Sequence, residues 1–403
     1  LAAAIDELAS AGTVAATPIV HRPGRTTAPL TPMQERIRFI EELHPGRSVY
    51  NAPSAHRLGG PLDLAKFKAA LEEIVRRQPA LRTRFGVDPD TGAPAQLIAP
   101  TAAFELPLID LQSIPADQRE AELAEQMQAL ADRPIDIRQA PMFHAALFRI
   151  APEDHAFVFV PHHLVWDGWS FDILQNELVT IYSALVRGEP HGLPDLAVDM
   201  GDFSEWYDAW LREPAYEQQL RYWKTRFANA PMPRALNTDM PRKAGMSGQG
   251  GTQWITVGQT LTEQLRAVAR SHGVTLSMLT LGIYLAMMGR VIEGDSIVIA
   301  MPVRGREAPE LEPVMGFFNN VLPLSFHVDQ QLQLGDFLRY VKQELLSVMN
   351  HQQVPFERLV AEPEFAARAK GNGLYQALFS FQDARERPRG FGGLTHRQMH
   401  LLQ

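Results

Sequence analysis

The stretch His155-Ala156-Phe157-Val158-Phe159-Val160 alternates in character and runs straight into Pro161-His162-His163-Leu164-Val165-Trp166-Asp167-Gly168-Trp169-Ser170. The first part reads as a half-buried β-strand and the residues after Gly168 as a helix, so two imidazoles and a carboxylate stand where a strand ends. Any fold of this chain has to present that turn. Adjacent strand side chains point to opposite faces, so His162 and His163 cannot share a cavity while strand geometry persists. One is free for chemistry and the other holds the turn. Asp167, four residues beyond His163, can fold back through the turn that Gly168 permits, to orient the histidines or to pair with an arginine elsewhere. With ordinary residue frequencies this spacing arises by chance on the order of once per thousand chains. Metal binding fits poorly, because strand neighbours diverge, the chain has no cysteine and no third ligand stands at a usual spacing.

At 403 residues the chain exceeds the roughly 250–300 residues at which single cores stop growing, so two lobes are expected. A formal net charge of −8, with scattered arginines and no basic stripe between aromatics, speaks against nucleic acid and anionic membranes as partners. Without cysteine there is no disulfide and no thiolate catalysis, in keeping with a reducing, cytoplasmic compartment. No basic, apolar and small-residue succession opens the chain, so no signal peptide is visible. The apolar run Val274 to Ile292 carries Ser277, Thr280 and Arg290 and reads as a buried helix rather than a membrane span. The absence of an initiating Met points to a piece of a longer polypeptide.

Residues 1–9 have helical composition, and Thr13 to Ala28, with Pro18, Pro23 and a basic patch, has the chemistry of a linker. Thr31-Pro32-Met33-Gln34 supplies a cap, a proline for the first turn and a capping-box glutamine, predicting a helix to about Leu43. Asp63 caps a second helix with Leu64, Phe67, Leu71, Ile74 and Val75 on one face, ended by Pro79. Leu81 to Val87 then alternates like a strand, in which Arg82 calls for a carboxylate partner. Met142–Ile150 and His155–His162, joined by Ala151-Pro152-Glu153-Asp154, predict a hairpin. Ser170 caps a helix whose Phe171, Leu174, Leu178, Ile181, Tyr182 and Leu185 share a face, and Gly188 stops it. Pro190 and Pro194 mark the lobe boundary. Ala230 to Gly251 reads as a surface loop, and Leu261–Arg270, Thr275–Arg290 and the strand Ser296–Val303 form an α/β unit.

The motif His162-His163-Leu164-Val165-Trp166-Asp167-Gly168 resembles the HHxxxDG signature of condensation domains of nonribosomal peptide synthetases, members of the chloramphenicol acetyltransferase-like superfamily. Further stretches resemble the same family in its order. These are Leu30-Thr31-Pro32-Met33-Gln34-Glu35-Arg36-Ile37-Arg38-Phe39, Arg76-Arg77-Gln78-Pro79-Ala80-Leu81-Arg82-Thr83-Arg84-Phe85, and Met200-Gly201-Asp202-Phe203-Ser204-Glu205-Trp206. Val314-Met315-Gly316-Phe317-Phe318-Asn319-Asn320 and Asn350-His351-Gln352-Gln353-Val354-Pro355-Phe356-Glu357 continue the series. There are departures: Gln353 stands where the family usually has an acid, and Gly371-Asn372-Gly373-Leu374-Tyr375 lacks the arginines and serine of the seventh motif. The resemblance implies an α/β fold of two chloramphenicol acetyltransferase-like lobes in a V-shaped pseudo-dimer, with a substrate tunnel between them. Residues 1–28 would be an upstream linker or carrier-domain tail, 29–190 the N-terminal lobe with the motif, and 191–403 a C-terminal lobe cut short of its last strand or helix.

It further implies amide-bond formation, in which a carrier-bound aminoacyl amine attacks a carrier-bound acyl or peptidyl thioester. No cofactor would be bound directly. Both substrates would ride on phosphopantetheine arms of an upstream donor and a downstream acceptor peptidyl carrier domain, with an adenylation domain adjacent. By its match to the second histidine and by strand alternation, His163 is assigned to the tunnel, as a base toward the amine or a hydrogen-bonding group that aligns it. The amide of Gly168 is a candidate oxyanion donor. His162 holds the loop, and Asp167 is structural, paired with an arginine: Arg306 first, then Arg304, with Arg82 or Arg76 as further choices. Trp169 and Asn319 are placed along the tunnel. Two other readings stand beside this one. One is acyl transfer from coenzyme A or a carrier to a soluble acceptor; the other is a catalytically silent platform that recruits partner proteins. Epimerising relatives carry an additional acidic histidine motif not found here, and cyclising relatives replace the histidines with aspartates.

Overall fold

A computed structural model describes residues 17–228, 230, 239–240, 250–292, 296–329, 331–368, 373–382 and 390–399. The expected helix over residues 1–9, most of the loop expected from Ala230 to Gly251, and Gly371-Asn372 lie outside the described residues. The fold mixes α and β. In chain order the strands are β1 (Thr27–Pro29), β2 (Ser54–Gly59), β3 (Thr83–Val87), β4 (Pro94–Ile98), β5 (Leu108–Asp110), β6 (Phe143–Ala151), β7 (Asp154–Pro161), β8 (Ser296–Val303), β9 (Asn320–His327), β10 (Gly390–Phe391) and β11 (Leu394–Met399). The chain divides into two compact units. One, the motif unit, comprises Ile19–Ala209, Arg306–Phe318 and Ala384–Gln403; the second comprises Leu1–Pro18, Trp210–Gly305 and Asn319–Asp383. The boundary expected at Pro190 thus falls inside the motif unit, which also takes in two later segments.

The motif unit is built on a six-stranded sheet of order β10-β11-β2-β7-β6-β5. The predicted hairpin is present, with β6 and β7 antiparallel from Phe143↔Pro161 to Ala151↔Asp154. β7 is nevertheless not half-buried: every residue from His155 to Pro161 is buried, because both sheet faces are covered. Ala156, Val158 and Val160 pack with Ala146 and Phe148 against Leu123 and Met127 of the helix Arg119–Ala131. Phe157 and Phe159, on the other face by the strand's period of two, meet Phe67 at 5.0 Å and Trp166 at 5.3 Å between ring centroids. A strand lined by apolar residues on both faces is what a central position between β2 and β6 demands.

Local signals set the helices around this sheet. Thr31 and Gln34 close a reciprocal capping box on the helix Pro32–Leu43, and Asp63 accepts the Lys66 amide hydrogen bond to start Leu64–Arg77. The 20-residue helix Gly168–Arg187 ends at Gly188, whose φ of 71° is left-handed. Its cap is Asp167 rather than Ser170, which lies inside the first turn. Pro79–Arg82 is a 3₁₀ turn, so Arg82 precedes β3 instead of lying in it. The basic linker is held down: Arg25 pairs with Asp202 at 2.9 Å and with Glu205 at 3.1 Å, and His21 Nδ1 lies 2.6 Å from Asp202.

In the second unit β8 and β9 pair antiparallel from Ser296↔His327 to Val303↔Asn320, and Ala300 exchanges backbone bonds with Ala377 and Phe379. The apolar run forms the helix Leu276–Val291, capped by Thr275. It is buried along Met278, Leu281, Leu285 and Met288, while Ile283, Met287 and Val291 are exposed, so the helix is not buried all round. No single helix among the described residues is long and apolar enough to cross a membrane; the helices 259–271 and 276–291 reach that length only together and turn by 99° between them.

Candidate active site

The two histidines leave β7 in opposite environments. His162 still forms an antiparallel bridge with Asn51, is 1% exposed, and caps the 3₁₀ turn His163–Val165. Its Nδ1 accepts a hydrogen bond from the Leu164 amide at 3.1 Å. A neutral imidazole that accepts at Nδ1 carries its proton on Nε2, and that nitrogen lies 3.6 Å from the buried carboxylate of Glu41. His163 has the other tautomer. Its ring Nδ1 lies 3.0 Å from the Trp166 carbonyl, which can only accept, so Nδ1–H donates and Nε2 keeps its lone pair. The His163 amide donates to the Tyr50 carbonyl at 2.9 Å, and the Phe317 ring meets the imidazole edge to face, with centroids 6.0 Å apart. Burial pushes the His163 pKa below the ordinary imidazole value, and the neighbouring His162 pushes the same way, against the Trp166 carbonyl and Asp167. The half-buried ring is a neutral base at neutral pH.

Asp167 is a node of a different kind. It is 0% exposed. Its Oδ1 accepts from the Ser170 amide at 3.0 Å, the Ser170 hydroxyl at 2.8 Å and Arg306 Nη2 at 3.1 Å. Oδ2 accepts from Arg306 Nη1 at 2.5 Å and from the Phe318 amide at 3.3 Å. Arg306 is itself buried, donates to the Val314 carbonyl at 3.1 Å, and lies 4.1 Å over the Phe318 ring. Both oxygens are saturated with donors, which leaves Asp167 neither a nucleophile nor a mobile base. The carboxylate fixes the start of the helix Gly168–Arg187 and the return of the segment Arg306–Phe318.

A condensation domain family model matches residues 24–394. The chain belongs to that family. This condensation domain is 34% identical over 382 residues to a linear gramicidin synthase of Brevibacillus parabrevis, covering 94% of the chain but 5% of that protein. It is 33% identical over 358 residues to the phosphinothricin tripeptide synthetase of Streptomyces viridochromogenes, covering 89% of the chain and 33% of that protein. The chain thus spans a small fraction of these relatives. Its fold is shared with the first condensation domain of the CDA synthetase, with a TM-score of 0.79 at 22% identity over 93% of this chain and 87% of that one.

Of the residues expected in the site of this condensation domain, the motif unit gathers His162, His163, Asp167, Gly168, Trp169 and Arg306. Gly168 does not serve the turn as expected: its φ is not positive, and a Cβ there would meet nothing within 4 Å. It is exposed at the first position of its helix. Trp169 is half-buried and donates from Nε1 to the Glu312 carbonyl at 2.9 Å. Arg82 holds backbone instead of a carboxylate, donating to the carbonyls of Val75, Arg76 and Ala99, and burial lowers its pKa. Arg76 pairs with Glu73 on the surface of its own helix. Arg304 and Asn319 belong to the second unit. There it is the neighbour Asn320 that is buried, donating to the carbonyls of Gln352 at 2.8 Å and Val354 at 2.7 Å. Gln353 accepts from Gln219 at 2.9 Å.

Sequence reasoning missed Glu41 and Gln78. Met33, Ile37 and Glu41 recur every four residues on the buried face of one helix, so an acid in an apolar register was the available signal. Gln78, 0% exposed, follows a helix and precedes Pro79, and nothing local distinguishes it from an ordinary helix end.

Proposed function

We propose that this chain catalyses amide-bond formation between two carrier-bound substrates, with His163 as the group that serves the amine. The observation that carries this reading is the tautomer of His163: the Trp166 carbonyl holds the proton on Nδ1, and Nε2 presents a lone pair. The acceptor's amine nitrogen attacks the donor's thioester carbonyl, a C–N bond forms, and a tetrahedral oxyanion results. Nε2 accepts the amine proton or aligns the nitrogen, an effect of about 10²- to 10⁴-fold. The C–S bond then breaks, and the departing phosphopantetheine thiolate takes the proton. The amide of Gly168, at a helix N-terminus where N–H groups are unpaired by the helix itself, donates to the oxyanion. Holding the two arms end to end supplies roughly 7–11 kcal/mol more. His162, Asp167 and Arg306 keep the loop in place, and Trp169 lines the substrates' path within the motif unit. The similarity to peptide synthetases supports donor and acceptor carrier domains, and an adenylation domain, as partners.

The test is a condensation assay read by mass spectrometry, with each substrate loaded on its own carrier, comparing wild type with His163→Ala. The expected result is product from wild type and a fall of about 10²-fold or more in the mutant. Undiminished product from the mutant would remove His163 from the chemistry. A wild type that forms no amide but binds partner proteins, with or without His163, would make the chain a recruitment platform.

A further inference from the structure

The head group of Gln78 is saturated within the motif unit. Its Nε2 donates to the Pro313 carbonyl at 3.0 Å and to Glu177 Oε1 at 3.1 Å. Its Oε1 accepts from the Met315 amide at 3.0 Å. Glu177 also accepts from Arg77 Nη2 at 3.3 Å, the side chains being 7% and 5% exposed. Residues 313–318 are therefore gripped twice. Ser170 and Asp167 take Gly316 and Phe318, and Gln78 takes Pro313 and Met315. Phe317, whose ring stands against His163, lies between the points held.

Resting on the reading of His163 as the group that serves the amine, we propose that Gln78 is a positioning residue of the reaction. By gripping Pro313 and Met315 it sets Phe317 against the His163 imidazole and keeps water from that face of the ring. The three bonds need two donors and one acceptor on a single head group, which an amide supplies and a carboxylate does not. A glutamate at this position would place two buried carboxyl groups about 3 Å apart, where only one can ionise, so the pair would share a proton at acid pH and lose the grip as pH rises. The titratable and charged groups facing that pair are Arg77 and His191, which lower the Glu177 pKa against the dominant effect of burial, and Glu73, 3.3 Å from His191.

The experiment compares wild type, Gln78→Leu and Gln78→Glu in three measurements: single-turnover condensation on loaded carriers, its pH profile, and NMR titration of the His163 ring. For Gln78→Leu the rate should fall about ten- to hundredfold with KM for either carrier unchanged, and the His163 midpoint should rise toward the ordinary imidazole value. For Gln78→Glu the ratio of its rate to that of wild type should be highest at acid pH and decline as pH rises. A folded Gln78→Leu with unaltered rate and midpoint would overturn the proposal. Should Gln78→Leu lose its cooperative unfolding transition, a flat Gln78→Glu ratio would overturn it instead. If wild type joins no pair of substrates, the proposed function fails alone: the His163 midpoint then decides for Gln78 by shifting and against it by staying.

Discussion

His162 and His163 share a peptide bond and have opposite tautomers. His162 has its lone pair engaged by a backbone amide and its protonated Nε2 3.6 Å from the Glu41 carboxylate; His163 has its proton engaged by a carbonyl and, among the described residues, its lone pair left over. The difference comes from backbone, since the strand's alternation carries His162 to one side and the 3₁₀ turn that begins at His163 brings the Trp166 carbonyl under the second ring. Paired histidines at a strand end therefore need no separate chemistry to acquire separate duties. On the proposed reading, the locked imidazole is a structural part and the imidazole that presents a lone pair is the reagent.

The comparison breaks most completely at the node beneath it. Arg306→Met leaves the Asp167 carboxylate buried without its cation, which should destabilise the protein by about 3–5 kcal/mol, measured by denaturant unfolding. In the double variant Arg306→Met with Asp167→Leu much of that loss should return, because no orphan charge remains. Activity should not return with it, because Asp167 also receives the Ser170 and Phe318 amides that shape the turn. A double variant as unstable as the single one would show that the carboxylate's backbone bonds, not the ion pair, carry the energy.

Next in size is a contrast between the neighbours. His162→Ala removes a buried ring and leaves the Leu164 amide without its acceptor, for an expected loss of about 1–3 kcal/mol of stability. His163→Ala, at a half-buried position, should cost little stability while abolishing most of the rate. Equal destabilisation by both substitutions would erase the distinction drawn from their tautomers.

How much of this was legible in the sequence follows from the range of each interaction. The capping box at Thr31, the cap at Asp63, the stop at Gly188 and the β6–β7 hairpin are local and could be read directly. At Arg82 a 3₁₀ turn shifts the strand's start by two residues, turning what alternation reads as a strand arginine into one that ties backbone carbonyls. The Asp167–Arg306 pair spans 139 positions and was reachable only through family resemblance. Gln78 meets Met315 across 237, and β11 joins β2 by pairing His396 with Leu58; contacts of that reach leave no trace in local periodicity.

pH sharpens the same comparison by a smaller amount. Because the folded pKa of His163 is lowered, the acid limb of the rate profile should fall below about 6.5, the ordinary imidazole value. The sign for stability follows from proton counting. Between the lowered folded value and the ordinary value the unfolded chain binds more protons, so stability is full above that window and declines as pH drops through it. In His163→Asn this part of the decline should vanish from the pH dependence of unfolding. An undiminished decline would assign it to other groups.

The smallest effect tests the emptiest position. Gly168 has a backbone any residue adopts and open space where its side chain would be, so neither turn geometry nor packing calls for glycine. Gly168→Ala should leave stability unchanged or raise it by up to about 1 kcal/mol, since alanine suits a helix and restricts the unfolded chain. If condensation nonetheless slows, the glycine is there for what approaches the helix N-terminus during the reaction, as close backbone approach to an oxyanion requires. If rate and stability both hold, whatever approaches the helix N-terminus leaves room for a methyl group, and the backbone N–H, which alanine keeps, still serves the oxyanion.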